Sequence, residues 1–225
     1  NGYDVTVLEQ GTQIGGCLQC FSRRSARFET GMHFIGSALP GQTLHKLMRY
    51  LSLDDIRLSR LDPEAYDVVS LHGERFCFAN GKEAFIEGMS RYFPSETDNL
   101  ALYYGIIEKI AQASSLHSLR YAENDIVVNT FYQTISINEV MDSLFTDELI
   151  KEVLVGNLPL YAAEKDRTPF SQHAFIMDFY NQSAFRVAGG SDAIALSLAG
   201  SIEACGGTVR PRSKVTHIVC NDTKA

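Results

Sequence analysis

Glu9 closes a short run of β-branched and apolar residues, Val5-Thr6-Val7-Leu8, and the glycine pair Gly15-Gly16 follows six positions later. In a dinucleotide-binding βαβ unit the second strand ends in a carboxylate that accepts hydrogen bonds from the adenosine ribose hydroxyls, and Glu9 sits where that acid belongs. A surface glutamate at the end of a strand has the same sequence appearance. Paired glycines remove two Cβ atoms and let backbone amides approach a bulky ligand, where a simple turn needs only one glycine. Further on, Gly31 and Gly36 bracket a histidine and aromatics in Phe28-Glu29-Thr30-Gly31-Met32-His33-Phe34-Ile35-Gly36. His33 suits either a cofactor or substrate pocket or a hydrogen-bonded core position, so no acid or base role is assigned to it.

Other reactive side chains point less clearly to chemistry. Cys17-Leu18-Gln19-Cys20 has a redox or metal spacing, but no second ligand pair repeats it and it does not open a clear helix, so no metal site is expected. The five cysteines are odd in number and scattered, which reads as reduced thiols. Ser191, in Gly189-Gly190-Ser191-Asp192-Ala193, misses the G-x-S-x-G pattern at its last residue and is expected to cap a helix. Tyr161, Phe170, Phe175, Phe179, Tyr180 and Phe185 crowd just before the glycine pair at 189. They either line an apolar substrate tunnel or pack a core.

The elements that must hold these residues follow from periodicity. Residues 3–9 read as a strand, and 11–41 as glycine-punctuated loop and short strands. A helix is expected over 43–51, strands near 66–71 and 75–78 around a turn at His72-Gly73, and helices over 81–92, 95–118, 138–155 and 170–181. Another helix follows Gly189-Gly190-Ser191 and stops at Gly206-Gly207, and Thr208 to Cys220 reads as two short strands. With 225 residues and 45% hydrophobic content the chain can fill a sizeable core. A formal charge of −7 gives no general attraction to nucleic acid, which is excluded as a partner. No signal-peptide pattern and no run long enough to span a bilayer is present, so a cytoplasmic location is expected.

The string Val7-Leu8-Glu9-Gln10, then Gly15-Gly16-Cys17, then Phe28 to Gly36 resembles the start of the retinol saturase and phytoene desaturase family of flavoproteins. The likeness continues in Gly81-Lys82-Glu83-Ala84-Phe85-Ile86-Glu87-Gly88, Phe93-Pro94, Ser171-Gln172-His173-Ala174 and Gly189-Gly190-Ser191. The resemblance implies an α/β fold: a partial FAD-binding Rossmann-like domain of the glutathione-reductase type, carrying a mainly helical α+β substrate or cap insert. Residues 1–65 and 188–225 would form the FAD-binding part, and 66–187 the cap. It implies that Glu9 takes the adenosine ribose, Gly15 and Gly16 lie by the cofactor phosphates, and Val215 meets the adenine end through its backbone. Gly31, Gly189 and Gly190 complete the implied cofactor set, and His33, Phe175, Phe179 and Tyr180 the implied substrate pocket. Gln13-Ile14 stands where many relatives have an arginine.

The family's G-x-G-x-x-G turn and its closing glycine-rich segment are not among these residues, so the chain is expected to be a fragment, inactive alone, of a longer enzyme. The expected activity is FAD-dependent oxidation or reduction of carbon–carbon double bonds in a lipophilic polyene. NAD(P)H enters as a candidate electron partner, an apolar small molecule as substrate, and peripheral membrane contact and a homodimer as compatible associations. Two alternatives stay open: a flavin amine-oxidase-like enzyme with another substrate, and a non-catalytic module without a complete cofactor site.

Overall fold

A computed structural model describes residues 2–119 and 126–220. The strands and helices in chain order are β1 (Thr6–Leu8), β2 (Cys20–Arg23), β3 (Ala26–Glu29), β4 (Ile35–Gly36), α1 (Thr43–Tyr50), β5 (Leu58–Arg60), β6 (Asp67–Leu71), β7 (Glu74–Phe78), α2 (Lys82–Tyr92), α3 (Thr97–Gln112), α4 (Ser115–Ser118), α5 (Ile126–Thr134), α6 (Ile137–Leu144), α7 (Glu148–Leu154), α8 (Phe170–Gln182), β8 (Ala184–Val187), α9 (Asp192–Ala204) and β9 (Thr208–Arg210). Short 3-10 turns occupy Gly16–Leu18, Pro94–Glu96 and Leu158–Tyr161. The chain divides into two compact units, one made of Asn1–His33, Leu47–Ser59 and Arg186–Ala225, the other of Phe34–Lys46 and Arg60–Phe185.

In the first unit β1 pairs in parallel with β9, Val7 opposite Val209. The ladder runs on past the strand ends, where the Glu9 amide donates to the Arg210 carbonyl at 2.9 Å and the Ser213 amide to the Glu9 carbonyl at 2.8 Å. Gly207 joins α9 to β9, and a Cβ there would lie 2.7 Å from Ile202 and 3.0 Å from the Val5 carbonyl. That close approach explains the glycine after the helix. The β2–β3 hairpin is antiparallel and stacks Phe21 on Phe28 with centroids 5.4 Å apart. Of the two strands expected over Thr208 to Cys220, only β9 forms. Residues 213–220 take no regular structure, although Val215, Ile218 and Val219 have strand character. A strand needs a continuous backbone partner, and beyond the single bond from the Ser213 amide to the Glu9 carbonyl none of the described residues pairs with that stretch.

The second unit holds the larger core. β6 and β7 form a hairpin whose turn, His72-Gly73, has positive φ at both positions (52° and 84°), the requirement of a tight hairpin turn. Phe76, Phe78, Phe85, Met89, Leu100, Tyr103, Ile107 and Phe170 lie at its centre, where α3 packs along α8. The stretch 138–155 splits into two helices. Phe145 is extended, and Asp147 begins the next helix by accepting from the Leu149 amide at 2.8 Å. α6 starts in a capping box, Ser136 and Glu139 each bonding the other's backbone amide. Glu96, 2% exposed, ties the α3 start to this break: its Oε1 accepts from the Thr146 amide and hydroxyl and the Asp147 amide, and its Oε2 from Asn99 Nδ2.

Candidate functional site

Within the first unit β1 delivers Glu9 to the start of an irregular loop. Its Oε1 accepts from the Gly11 amide at 2.6 Å, while its other carboxylate oxygen has no partner among the described residues. That oxygen is free to take a ligand hydroxyl. The loop turns back at Gly15 and Gly16, with φ of 105° and 52°, into a 3-10 turn closed by Leu18 and Gln19 amides on the Gly15 and Gly16 carbonyls.

The implied cofactor glycines fall into two groups. At Gly15 a Cβ would stand 2.8 Å from the Ala195 Cβ, at Gly31 3.0 Å from the Cys17 Cβ, and at Gly190 2.9 Å from the Cys20 Sγ and 3.0 Å from the Arg27 Nε. These three are required by close packing of the chain on itself. Gly16 and Gly189 instead have positive φ and open space where a Cβ would point. Their bare backbone is accessible to a ligand. Val215 is 52% exposed, and its stretch leaves β9 after the Glu9 carbonyl has been bonded by Ser213.

A cavity of about 870 Å³ lies beside this loop, lined by Gln13, Ile14, Cys20, Arg27, Asp192 and Glu203 among others. None of the glycines named above lines it. Arg27 forms an ion pair with Asp192 at the α9 start. Ser191 does not cap α9 with its side chain, contrary to expectation: its hydroxyl donates to the Leu18 carbonyl at 2.9 Å and sits 3.7 Å from the Cys20 sulfur. The helix start is occupied instead by the Arg27–Asp192 pair, and Ser191, fully buried, ties it to the 3-10 turn.

In the second unit Phe175, Phe179 and Tyr180 are all half-buried on α8. Phe175 and Phe179 pack against the His117 ring with centroids 5.1 and 4.2 Å away, and Tyr180 packs against Phe34 at 4.4 Å. His33 belongs to the first unit and is exposed. Phe170, also considered for a tunnel, is fully buried among Tyr103, Tyr132 and His173 and serves as core.

Two histidines that the spacing arguments passed over are central here. His117 Nε2 lies 3.0 Å from the Phe175 carbonyl, while its Nδ1 is buried without a partner among the described residues, and burial lowers its pKa. His173 is fully buried; its Nε2 is 2.8 Å from the Tyr103 hydroxyl and its Nδ1 2.6 Å from the Tyr161 hydroxyl. Burial pushes the His173 imidazole down to about 3, so it is neutral at physiological pH. Asp178, one residue before Phe179, is pushed up to about 6 by burial, with Glu108 adding to the shift and a bond from Gln182 opposing it. The signal for His173 was its place at the same helical face as Met177 and Tyr180; what it touches depends on residues far away in sequence.

Comparison with known proteins gives these features a family. Residues 1–225 match the family described as flavin containing amine oxidoreductase. The all-trans-retinol 13,14-reductase of Rattus norvegicus is 30% identical over 97% of this chain and 39% of its own length, and the Homo sapiens protein of the same name is 27% identical over 97% and 38%. The chain thus spans under half the length of these relatives. Among solved structures, an oxidoreductase from Methanosarcina mazei aligns with a TM-score of 0.65 at 17% identity, over 98% of this chain and 48% of that one. A protein from Pyrococcus furiosus aligns at 0.61 and 15% identity, over 94% and 46%. These two likenesses carry the α/β fold. Matched along its full extent, the chain belongs to the flavin containing amine oxidoreductase family.

Proposed function

We propose that this chain is part of an FAD-dependent oxidoreductase that acts on carbon–carbon double bonds of a lipophilic polyene. The observation that carries the reading is the run Val7-Leu8-Glu9, Gly15-Gly16 and Phe28 to Gly36, together with 30% identity to an all-trans-retinol 13,14-reductase across nearly the whole chain. In this reading the unit that holds Glu9 is a partial Rossmann-like FAD-binding domain, and the helical unit is the substrate or cap domain. The boundaries proposed for this reading are 1–65 and 188–225 for the FAD-binding part and 66–187 for the cap; residues 34–46 and 60–65, which they assign to the FAD-binding part, belong to the second compact unit.

The residues present fit the adenosine end of the cofactor. The unpaired Glu9 oxygen accepts from ribose hydroxyls, the bare backbone of Gly16 and Gly189 admits a phosphate, and the exposed residue Val215 meets the adenine through its backbone. Gly15, Gly31 and Gly190 support that surface from behind by letting the loop, the hairpin and α9 close on one another. When bound, the flavin supplies the hydride chemistry. The half-buried Phe175, Phe179 and Tyr180 provide an apolar surface for a polyene, and His33 is a further candidate contact. Within the same reading NAD(P)H serves as electron partner, the protein is cytoplasmic with peripheral membrane contact, and it forms a homodimer. Among the described residues no helix is long and apolar enough to cross a membrane.

The test is turnover. The full-length protein, with flavin reduced under anaerobic conditions, is mixed with an all-trans polyene alcohol, and loss of the conjugated chromophore is followed by absorbance and product analysis. Stoichiometric loss of one double bond per flavin supports the reading; a reduced flavin that survives the polyene but is oxidised by another substrate class moves the protein to a different branch of the family.

A further inference from the structure

The buried chain Tyr103–His173–Tyr161 carries information about hydrogen direction. Both His173 nitrogens are engaged by phenol hydroxyls, at 2.8 Å to Tyr103 and 2.6 Å to Tyr161. A neutral imidazole has one N–H donor and one bare acceptor nitrogen, so one phenol donates to it and the other accepts from it. Tyr103 is fully buried, surrounded by the rings of Phe85, Phe145 and Phe170, and His173 is its one hydrogen-bond partner among the described residues. If Tyr103 accepted, its own proton would be left unpaired in a dry core, with nothing to offset the loss of its hydration. Tyr103 therefore donates to Nε2, and Nδ1–H donates to the Tyr161 oxygen.

Tyr161 differs from Tyr103 in being half-buried, at the end of the 3-10 turn Leu158–Tyr161. Its oxygen is occupied by the imidazole N–H, and its own O–H has no acceptor among the described residues. The hydroxyl is thus a donor fixed in place and left to serve something outside the core. Tyr161 and Tyr180 both pack against the same apolar core, and burial raises the Tyr161 pKa, with Tyr180 on α8 adding to the rise. Tyr180 in turn packs on Phe34, and Phe34 on Tyr66 at 6.2 Å. An oriented donor near aromatic side chains suits a ligand with an apolar body and one oxygen at its end.

We infer that Tyr161 is a specificity-determining hydrogen-bond donor, oriented by the Tyr103-to-His173-to-Tyr161 relay, that receives the terminal oxygen of a lipophilic alcohol or carbonyl substrate. This rests on the polyene reading above and narrows it, because a pure hydrocarbon has nothing to offer the donor. A site built around a hydrogen bond discriminates against the ligand that lacks it, since the buried donor is then left unpaired.

Two measurements on the full-length protein test this. Nitrogen-15 NMR of histidine-labelled protein reads the His173 tautomer directly: protonation at Nδ1 with bare Nε2 is expected, and the opposite tautomer or an imidazolium overturns the relay. Equilibrium binding is then compared for a polyene alcohol and a hydrocarbon polyene of equal conjugated length, in the parent and in Tyr161→Phe. Loss of one hydrogen bond should weaken the alcohol about tenfold and leave the hydrocarbon unchanged. Equal effects on both ligands, or none on the alcohol, overturn the specificity role while leaving the functional reading intact. If the parent binds neither polyene, the substrate assignment falls together with that reading, and the tautomer still decides the relay.

Discussion

Replacing Gly36 by alanine should be among the most damaging conservative changes in this chain. Gly36 is buried on β4, paired with Ala184 and facing the end of α8. A Cβ built there would lie 2.3 Å from the Phe179 carbonyl oxygen, 2.4 Å from its carbon and 2.8 Å from the Tyr180 nitrogen. Carbon and oxygen approach no closer than about 3.3 Å even in favourable C–H···O contacts, so β4 or α8 must shift by roughly 1 Å. Backbone blocks both sides, and no side chain can swing away. Overpacking relieved by side-chain movement costs about 1–3 kcal/mol, and this case should reach or exceed about 3 kcal/mol. For a chain of this size each kcal/mol moves Tm by about 2–4 °C, giving a fall of roughly 6–12 °C. Gly88 is the internal control: it lies within α2 with nothing near its Cβ position, so Gly88→Ala should stabilise by about 0.5–1 kcal/mol. Thermal unfolding followed by far-UV circular dichroism reads both. A Gly36→Ala variant within about 1 °C of the parent would refute the packing argument, since a loss of even 1 kcal/mol exceeds that shift.

Glu96 gives a second test. Burial alone would raise its carboxyl, but bonds from Asn99, Asp147 and Thr146 hold it below the usual range. A depressed folded pKa means stability that is present above the unfolded value and lost as pH falls through the folded one. Glu96→Ala should cost about 2–4 kcal/mol near neutral pH by stranding the Thr146 and Asp147 amides, with a smaller difference from the parent in acid, measured by denaturant titration. Asp178 behaves with the opposite sign: its folded pKa of about 6 exceeds the unfolded value, so its contribution is present in acid and lost as pH rises through about 6. Asp178→Asn should raise Tm at pH 8 relative to the parent, by an amount worth about 1–3 kcal/mol, and the gain should vanish below the unfolded carboxylate pKa.

Much of the fold was legible because local signals decided it. The hairpin at His72-Gly73 needs two left-handed residues in a row, and the helices over 82–92 and 170–182 declare themselves by apolar spacing. What was not legible depends on contacts distant in sequence. Gly190 is a glycine because Cys20 and Arg27 crowd it from the β2–β3 hairpin, and Gly36 because α8 presses on it; neither neighbour can be inferred from the motif that contains the glycine. Ser191 was expected to cap its helix and bonds the Leu18 carbonyl instead, since the turn after Gly16 brings an acceptor closer. The break between α6 and α7 arises where Glu96, fifty residues away, claims the amides of Thr146 and Asp147. The acid and open glycines of the candidate cofactor surface stood out by type and spacing. Tyr161 and His173 stood out only as members of an aromatic cluster and of a motif, and their pairing did not, because a hydrogen-bonded relay has no sequence period.

The cofactor assignment is most directly tested by visible absorption of the full-length protein after incubation with FAD and desalting, beside Glu9→Ala and Gly16→Val variants of unchanged fold. Retained flavin in the parent, with markedly weaker retention in both variants, is the expected result. A parent protein that emerges folded and colourless would contradict the flavoenzyme reading, and flavin held equally by all three would remove Glu9 and Gly16 from the site.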